Sequence, residues 1–109
     1  MIVVTGANGL LGSYIVRKLI DANMPFMAMR RKSSDTSLLA DVNDAIQWVE
    51  GDVTDPDTLI EIFAKATGVI HAAAVVSYHK QDEEIIKSIN IDGTRNVVNA
   101  CLATGIKRL

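Results

Sequence analysis

A glycine-rich stretch near the start of the chain, TGANGLLG at residues 5–12, constrains the fold more than any other feature. It follows the β-branched run IVVT directly and precedes a segment whose apolar residues have helical spacing. The sequence therefore predicts a strand, a tight turn and a helix in succession. In that arrangement, unpaired N–H groups and the positive end of the helix favour an anion at the turn. Gly6 would permit the tight turn, Gly9 the close approach of a diphosphate, and Gly12 close packing of helix on strand.

The helix after these glycines is expected to begin near Leu10 and to close between Asp21 and Met24. Arg17 is expected to point to water. The side expected to face the sheet consists of Leu11, Ile15, Val16 and Leu19. Asn8, inside the turn, tolerates left-handed backbone and can donate a hydrogen bond. A tight turn that binds nothing remains the alternative.

Four short apolar runs predict parallel strands with both faces covered, because their apolar residues are successive rather than alternating. They lie at Ile2 to Thr5, Pro25 to Met29, Ile46 to Val49 and Gly68 to Ala73. The polar segment KSSDTSLLADVNDA predicts at most a short helix. A clearer helix follows, since Asp55 can cap it, Pro56 suits its first position and Gly68 follows its end. This alternation indicates one α/β domain over residues 1–109.

The last helix is predicted from about Asp82 to Thr104, with Gly105 as its left-handed terminator. One face carries Ile85, Ile89, Gly93, Val97 and Ala100. Gly93 in that stripe costs about 1 kcal/mol relative to alanine, so some group must approach the backbone there. A close contact of the helix with the sheet and a local kink near a reacting ligand both remain open.

Composition narrows the classes of function. The net charge is −2, and the cationic run Arg30-Arg31-Lys32 is too short to follow a nucleic-acid backbone, although it could hold one phosphate. No apolar run approaches the length of a membrane span, and no room for a signal peptide precedes Ile2, so a cytoplasmic location is expected. Cys101 is the only cysteine and suits a buried helix position. No metal site is predicted.

A dinucleotide at the glycine turn would require a second feature about 20 residues further on, at the end of the second strand. An acidic residue there would bind the ribose 2′-hydroxyl of NAD, but MAMRRKSS contains none. Arg30 and Arg31, followed by Ser33 and Ser34, suit a 2′-phosphate instead, because guanidinium groups donate charge-assisted bidentate hydrogen bonds. The sequence favours NADP(H) over NAD(H), with a solvated basic turn as the alternative. Asp52, after the third strand, could accept from the adenine amino group or serve as a turn carboxylate.

The motifs TGANGLLG, GDVTD, IHAAA and NIDGT, in this order, resemble those of the extended short-chain dehydrogenase/reductase family, also called the NAD-dependent epimerase/dehydratase family. Within it, the double arginine and AAVVSYHK are most similar to dihydroflavonol-reductase-like members. The resemblance implies a Rossmann-type parallel sheet of strand order 3-2-1-4 with helices on both faces. It also implies a cofactor site formed by Gly6, Asn8, Gly9, Leu10, Leu11, Gly12, Arg30, Arg31, Asp52, Val53, Ala72, Ala73 and Ala74.

Three further positions are interpreted through the same resemblance. Asn90 matches the asparagine of the family's N-x-x-G-T pattern, which kinks the helix and supports a proton relay; an ordinary hydrogen-bonded helix asparagine is the alternative. His71 is expected to be a core histidine. Tyr14 and Lys18 reproduce the spacing of the family's catalytic Tyr-x-x-x-Lys, but they lie on the wrong helix and are interpreted as coincidence.

The family's catalytic pair should come later, yet the chain ends at GIKRL, where the fifth strand of the family begins. We therefore expect residues 1–109 to be the N-terminal part of a dinucleotide-binding domain, inactive alone, with the fourth strand VIHAAAVV as an exposed edge that favours self-association. The expected parent enzyme transfers hydride between NADP(H) and a carbonyl or alcohol carbon of a small molecule. Ser77 to His79 are the only substrate contacts expected here. A non-catalytic NADP(H)-sensing module that regulates a protein partner is the alternative.

Overall fold

The computed structural model describes residues 1–32, 34–72, 83–106 and 108–109. Its elements, in chain order, are β1 (Ile2–Thr5), α1 (Leu10–Asp21), β2 (Phe26–Arg30), a 3₁₀ helix (Ser37–Ala45), β3 (Trp48–Glu50), α2 (Pro56–Phe63), β4 (Gly68–His71) and α3 (Glu83–Thr104). The strands form a parallel sheet in the order β3-β2-β1-β4. The predicted Rossmann-type topology is confirmed.

Helices cover both faces of this sheet. Successive residues of each strand point to opposite sides, so each strand packs against helices on both faces. Val3 lies on the face that packs against α2 and α3, whereas Val4 lies on the face that packs against α1 and the 3₁₀ helix. The first cluster also contains Met27, Met29, Leu59, Ile62, Phe63, Val69, Val97, Ala100 and Cys101. The second also contains Ala7, Val16, Leu19, Phe26, Ala28, Leu39 and Ile46. Two-sided burial explains why the strands are apolar at successive positions.

Helix α1 has the predicted bounds, but the prediction that Leu11 faces the sheet is wrong. The Leu11 side chain is 63% exposed, whereas Gly12 and Ser13 are buried. The first turn of α1 rests on the preceding glycine turn through Gly12, which has no side chain, so Leu11 is left on the outer flank. The buried stripe then continues through Val16 and Leu19.

The polar segment after β2 forms a longer helix than predicted. It is a 3₁₀ helix of nine residues, and it places Leu39 in the core with no exposed surface. Arg17, expected to point to water, donates to Asp41 Oδ1 and Oδ2 at 2.7 and 3.0 Å and to the Leu38 carbonyl at 2.7 Å. The guanidinium thereby joins α1 to the 3₁₀ helix and lowers the pKa of the Asp41 carboxyl. As the pair is exposed, its contribution to stability is small.

Several element ends differ from the predicted ones. Strand β2 begins at Phe26 rather than Pro25 and extends to Arg30, and β3 occupies Trp48–Glu50 rather than residues 46–49. Helix α2 starts as predicted, with Pro56 in its first turn and the Asp55 carboxylate accepting from the Thr58 N–H at 3.4 Å. Gly105 has the expected positive φ of 75° after α3.

Strand β4 forms the edge of the sheet in the described part of the chain, as predicted. Its backbone is not entirely open, since the Val69 N–H donates to the Arg108 carbonyl at 3.0 Å. Gly68 and Val69 are buried. The second half of the predicted exposed edge, residues 73–76, lies outside the described residues, and self-association stays a prediction. None of the helices in the described ranges combines the length and apolarity needed to cross a membrane.

Candidate functional site

The loops that follow all four strands open onto one cleft at the carboxyl edge of the sheet, with a cavity volume of about 310 Å³. Its walls are formed by Gly6, Asn8, Gly9, Met29, Arg30, Arg31, Gly51, Asp52, Val53, Thr54, Ala72, Ile89 and Asn90. Open α/β sheets bind ligands at this edge. The cleft brings together predicted site residues from four separate motifs.

The glycine turn forms the first wall of the cleft. Gly6 has a φ of 64°, which a residue with a Cβ rarely adopts, and its carbonyl accepts from the Gly9 N–H at 3.1 Å. A Cβ on Gly12 would collide with the Gly6 carbonyl oxygen and lie 2.8 Å from Ala7 Cα. Among the described residues, a Cβ on Gly9 would meet only that same oxygen, at 3.4 Å. Gly6 and Gly12 are therefore required by the fold, whereas the fold itself tolerates a side chain at Gly9.

The N-terminus of α1 ends at this turn without a side-chain cap. Gly9 occupies the capping position, no acidic residue stands in the first turn, and the Ser13 hydroxyl donates back to the Leu10 carbonyl at 2.7 Å. Helix α2 is different, because Asp55 caps it and Asp57 stands in its first turn. The positive end of α1 is thus left for an external anion. Leu10, Leu11 and Gly12 can contribute backbone N–H groups there, although they do not line the cleft themselves.

Two arginines supply the positive charge of the opposite wall. Arg30 ends β2, and its guanidinium carbon lies 5.7 Å from the centre of the Trp48 ring. Its Nε is buried and has no hydrogen-bond partner among the described residues. Arg31 is exposed, and its backbone forms reciprocal 3.0 Å hydrogen bonds with Ser34. Within the described ranges neither arginine forms an ion pair, so both charges remain available to a ligand. Ser33 lies outside the described residues.

The loop after β3 is fixed by its own turn and by α3. Asp52 Oδ1 accepts from the Thr54 N–H and hydroxyl at 2.9 and 2.8 Å, as in the turn-carboxylate alternative, while the residue still lines the cleft. The Val53 carbonyl accepts from Asn96 Nδ2 at 2.9 Å. A Cβ on Gly93 would lie 2.8 Å from Val53 Cγ2. The group that approaches Gly93 among the described residues is therefore this loop rather than a strand of the sheet.

His71, at the end of β4, joins three elements through its ring nitrogens. Nδ1 lies 2.7 Å from the Thr5 hydroxyl and Nε2 lies 3.2 Å from the Thr94 hydroxyl. The ring is half-buried, and burial lowers its pKa, which favours the neutral form. The Thr5 hydroxyl also accepts from the Ala72 N–H at 3.2 Å, so the network positions the strand end at the cleft. His71 is thus a structural histidine with specific polar partners.

Of the remaining predicted residues, one lines the cleft, two lie away from it, and the others fall outside the described residues. Asn90 lines the cleft from α3 and is half-buried. Tyr14 is 63% exposed and Lys18 is also exposed, and neither lines the cleft, as expected of a coincidental pair. Ala73 and Ala74, like Ser77 to His79, fall outside the described residues.

Sequence reasoning missed four residues of the wall: Met29, Gly51, Thr54 and Ile89. Gly51 had a readable signal, because a glycine directly after a strand often permits a close approach. A Cβ there would lie 2.7 Å from Ile62 Cδ1 and 2.8 Å from Met29 Sδ. Met29 and Ile89 resemble ordinary core residues in sequence, and only the fold shows that they border the cleft.

Comparisons with known proteins agree on one family. The model of the NAD dependent epimerase/dehydratase family matches residues 2–109. Dihydroflavonol 4-reductase of Hordeum vulgare is 30% identical over 117 residues, which cover 99% of this chain and 33% of that protein. The protein in the crystal structure of gox2253 has 33% sequence identity to this chain, and the two structures superpose with a TM-score of 0.86. The match covers 98% of this chain and 32% of the gox2253 chain. The structure of WbmG from Bordetella bronchiseptica, in complex with NAD and UDP, is 29% identical with a TM-score of 0.80 and covers 99% and 35%. The chain spans about a third of the length of these proteins.

Proposed function

Because the chain belongs to the NAD dependent epimerase/dehydratase family, as its four motifs predicted, we propose that its cleft binds NADP(H). The whole protein would transfer hydride between this cofactor and a carbonyl or alcohol carbon of a small molecule. The observation that carries the proposal is that the uncapped N-terminus of α1 borders the same cleft as two arginines that form no ion pair within the described ranges. A dinucleotide has one diphosphate and, in NADP, one further phosphate, which these two groups match.

The residues present fit the diphosphate. Gly9 opens towards the cleft, since the Gly6 carbonyl alone, in the part of the chain that the structure describes, lies near the space that a Cβ would fill. Backbone N–H groups of the first turn of α1 would donate to the phosphate oxygens, and the helix dipole would stabilise their charge. No carboxylate stands in that turn to compete with the anion. Asn8, on the same wall, can add a side-chain donor.

The preference for NADP over NAD rests on the end of β2. A site selective for NAD would place a carboxylate there to bind the ribose 2′-hydroxyl. This chain instead places Arg30 and Arg31 on the cleft, and Arg30 Nε is buried with no hydrogen-bond partner among the described residues. A buried donor without a partner costs free energy that a 2′-phosphate would recover. NAD itself is bound in the related WbmG structure, so the preference is proposed for this chain alone.

The other walls suggest the path of the cofactor. Asp52 Oδ1 is used by Thr54, and its second carboxylate oxygen would accept from the adenine amino group, with Val53 beside it. Ala72 presents a small side chain at the end of β4, where Ala73 and Ala74 would continue along the cofactor. Bound NADP(H) would supply the hydride chemistry. Asn90, on the same cleft, would hold a proton-relay partner through its side-chain amide.

Two arginine variants test the proposal. Titration calorimetry should show that NADP and NAD both bind the chain, with NADP the tighter ligand. Arg30→Ala combined with Arg31→Ala should weaken NADP by roughly tenfold or more, since a hydrogen bond to a charged group contributes about 1.5–3 kcal/mol. NAD, which lacks the 2′-phosphate, should lose much less. The matched control is Arg17→Ala, which removes an arginine engaged with Asp41 away from the cleft. Equal losses for the two nucleotides would refute the NADP preference.

A further inference from the structure

Trp48 contacts the cleft arginine from outside the cleft. Strand β3 pairs with β2 so that Trp48 lies opposite Ala28, and Arg30 is two residues further along β2. Residues two apart on a strand share a face, so Trp48 and Arg30 are diagonal neighbours on one side of the sheet. The Arg30 guanidinium carbon lies 5.7 Å from the ring centre of Trp48, within the range of a cation–π interaction. Trp48 itself does not line the cleft.

The orientation of the indole is fixed from its other end. Trp48 Nε1 donates to Asn43 Oδ1 at 2.8 Å, and Asn43 belongs to the 3₁₀ helix. The ring is therefore held by a hydrogen bond on one edge and has the Arg30 cation over its face. That position restricts the Arg30 side chain, which would otherwise lose considerable rotamer freedom on binding a ligand.

We propose that Trp48 and Asn43 are positioning residues that set the selectivity for NADP(H) over NAD(H) by holding the Arg30 guanidinium towards the 2′-phosphate. The inference rests on the proposed function and goes beyond it by assigning a role to two residues outside the cleft. Arg30 Nε is buried and has no hydrogen-bond partner among the described residues, and neither ion pair in the described ranges includes Arg30. Glu50, its register partner on β3, is exposed and makes no ion pair with it in this part of the chain.

Three variants of the full chain separate this role from ordinary packing. Trp48→Leu removes the aromatic face, Trp48→Phe keeps a ring, and Asn43→Ala removes only the acceptor of the indole N–H. By calorimetry, Trp48→Leu should raise the Kd for NADP roughly two- to fivefold, the range of an exposed cation–π contact, and leave the Kd for NAD unchanged. Trp48→Phe should restore most of the NADP affinity, and Asn43→Ala should fall between them. Thermal unfolding of each variant checks that the fold is retained.

A double-mutant cycle decides whether Trp48 acts through Arg30. In an Arg30→Ala background, Trp48→Leu should cause no further loss of NADP affinity, since the group that it positions is gone. Additive losses, or equal losses for NADP and NAD, would overturn the inference while leaving the proposed function in place. If the unsubstituted chain binds neither nucleotide, the proposed function is overturned, and this inference with it. A parent chain that binds both equally would overturn the NADP preference on which the positioning role depends.

Discussion

Substituting alanine separately for two glycines of the turn should separate folding from binding. Gly12→Ala places a Cβ against the Gly6 carbonyl oxygen and 2.8 Å from Ala7 Cα, and both neighbours are backbone atoms that cannot rotate away. Overpacking of this kind costs about 3 kcal/mol at the upper end, and the better helix propensity of alanine offsets about 1 kcal/mol. The net loss of about 2 kcal/mol corresponds to roughly 8–16 °C in the melting temperature of a domain of this size.

Gly9→Ala is the matched variant. Of the described atoms, its Cβ would meet only the Gly6 carbonyl oxygen, at 3.4 Å, and its φ of −78° suits any residue. We expect a change in unfolding free energy within about 0.5 kcal/mol, because the poorer capping by alanine and its smaller unfolded-state entropy nearly cancel. The methyl group would occupy the space through which a diphosphate approaches. Loss of one hydrogen bond to a charged phosphate, about 1.5–3 kcal/mol, weakens NADP by roughly ten- to a hundredfold.

Thermal denaturation measures the stability of both variants, and calorimetric titration measures their affinity for NADP. Gly12→Ala should be unstable, and Gly9→Ala should be stable but weak in binding. If Gly9→Ala binds NADP as tightly as the parent chain, the diphosphate does not approach that backbone. If Gly12→Ala melts at the parent temperature, the contact between α1 and the turn is not as close as described.

Three further substitutions test the surroundings of the cleft. Asn96→Ala should lower the unfolding free energy by about 1 kcal/mol in urea denaturation, since it leaves the Val53 carbonyl without its donor, whereas the exposed Asn99→Ala should change little. Burial lowers the pKa of His71, so the unfolded chain binds more protons than the folded chain below about pH 6.5, and the unfolding free energy falls as the pH drops. In His71→Gln, the unfolding free energy should fall less steeply between about pH 7.5 and 5.5. A fall identical to that of the unsubstituted chain would show that His71 is not its source. Tyr14→Phe should leave NADP binding unchanged, and a large loss would return Tyr14 to the site.

The apolar runs predicted parallel strands covered on both faces, because their apolar residues are successive, whereas the strand order was predicted from the family resemblance. Asp55 and Gly105 marked helix ends correctly, since capping and positive φ are local properties. The burial of Leu11 was predicted wrongly because helical spacing does not show that the first turn would rest on Gly12. The length of the nine-residue 3₁₀ helix was underestimated, because its contacts with Arg17 and with the core through Leu39 are tertiary.

Part of the candidate site was predicted because its residues lie at the ends of recognisable strands. Gly6 and Asp52 follow strands and Arg30 ends one, and residues at the carboxyl ends of parallel strands meet at one edge. The contact of Trp48 with Arg30 could not be predicted, because it depends on the register between β2 and β3. The approach of Val53 to Gly93 likewise depends on how α3 lies over a loop that is distant in sequence.

The central claim is that backbone N–H groups between β1 and α1 bind the diphosphate of a dinucleotide. Titration of the ¹⁵N-labelled chain with NADP, followed by amide NMR, tests it most directly. We expect saturable shifts of the amide signals of residues 6–12, accompanied by a shift of the Trp48 indole signal, with smaller indole changes on titration with NAD. Saturable binding that leaves the amides of residues 6–12 unmoved, or no binding of either nucleotide by the folded chain, would contradict the account.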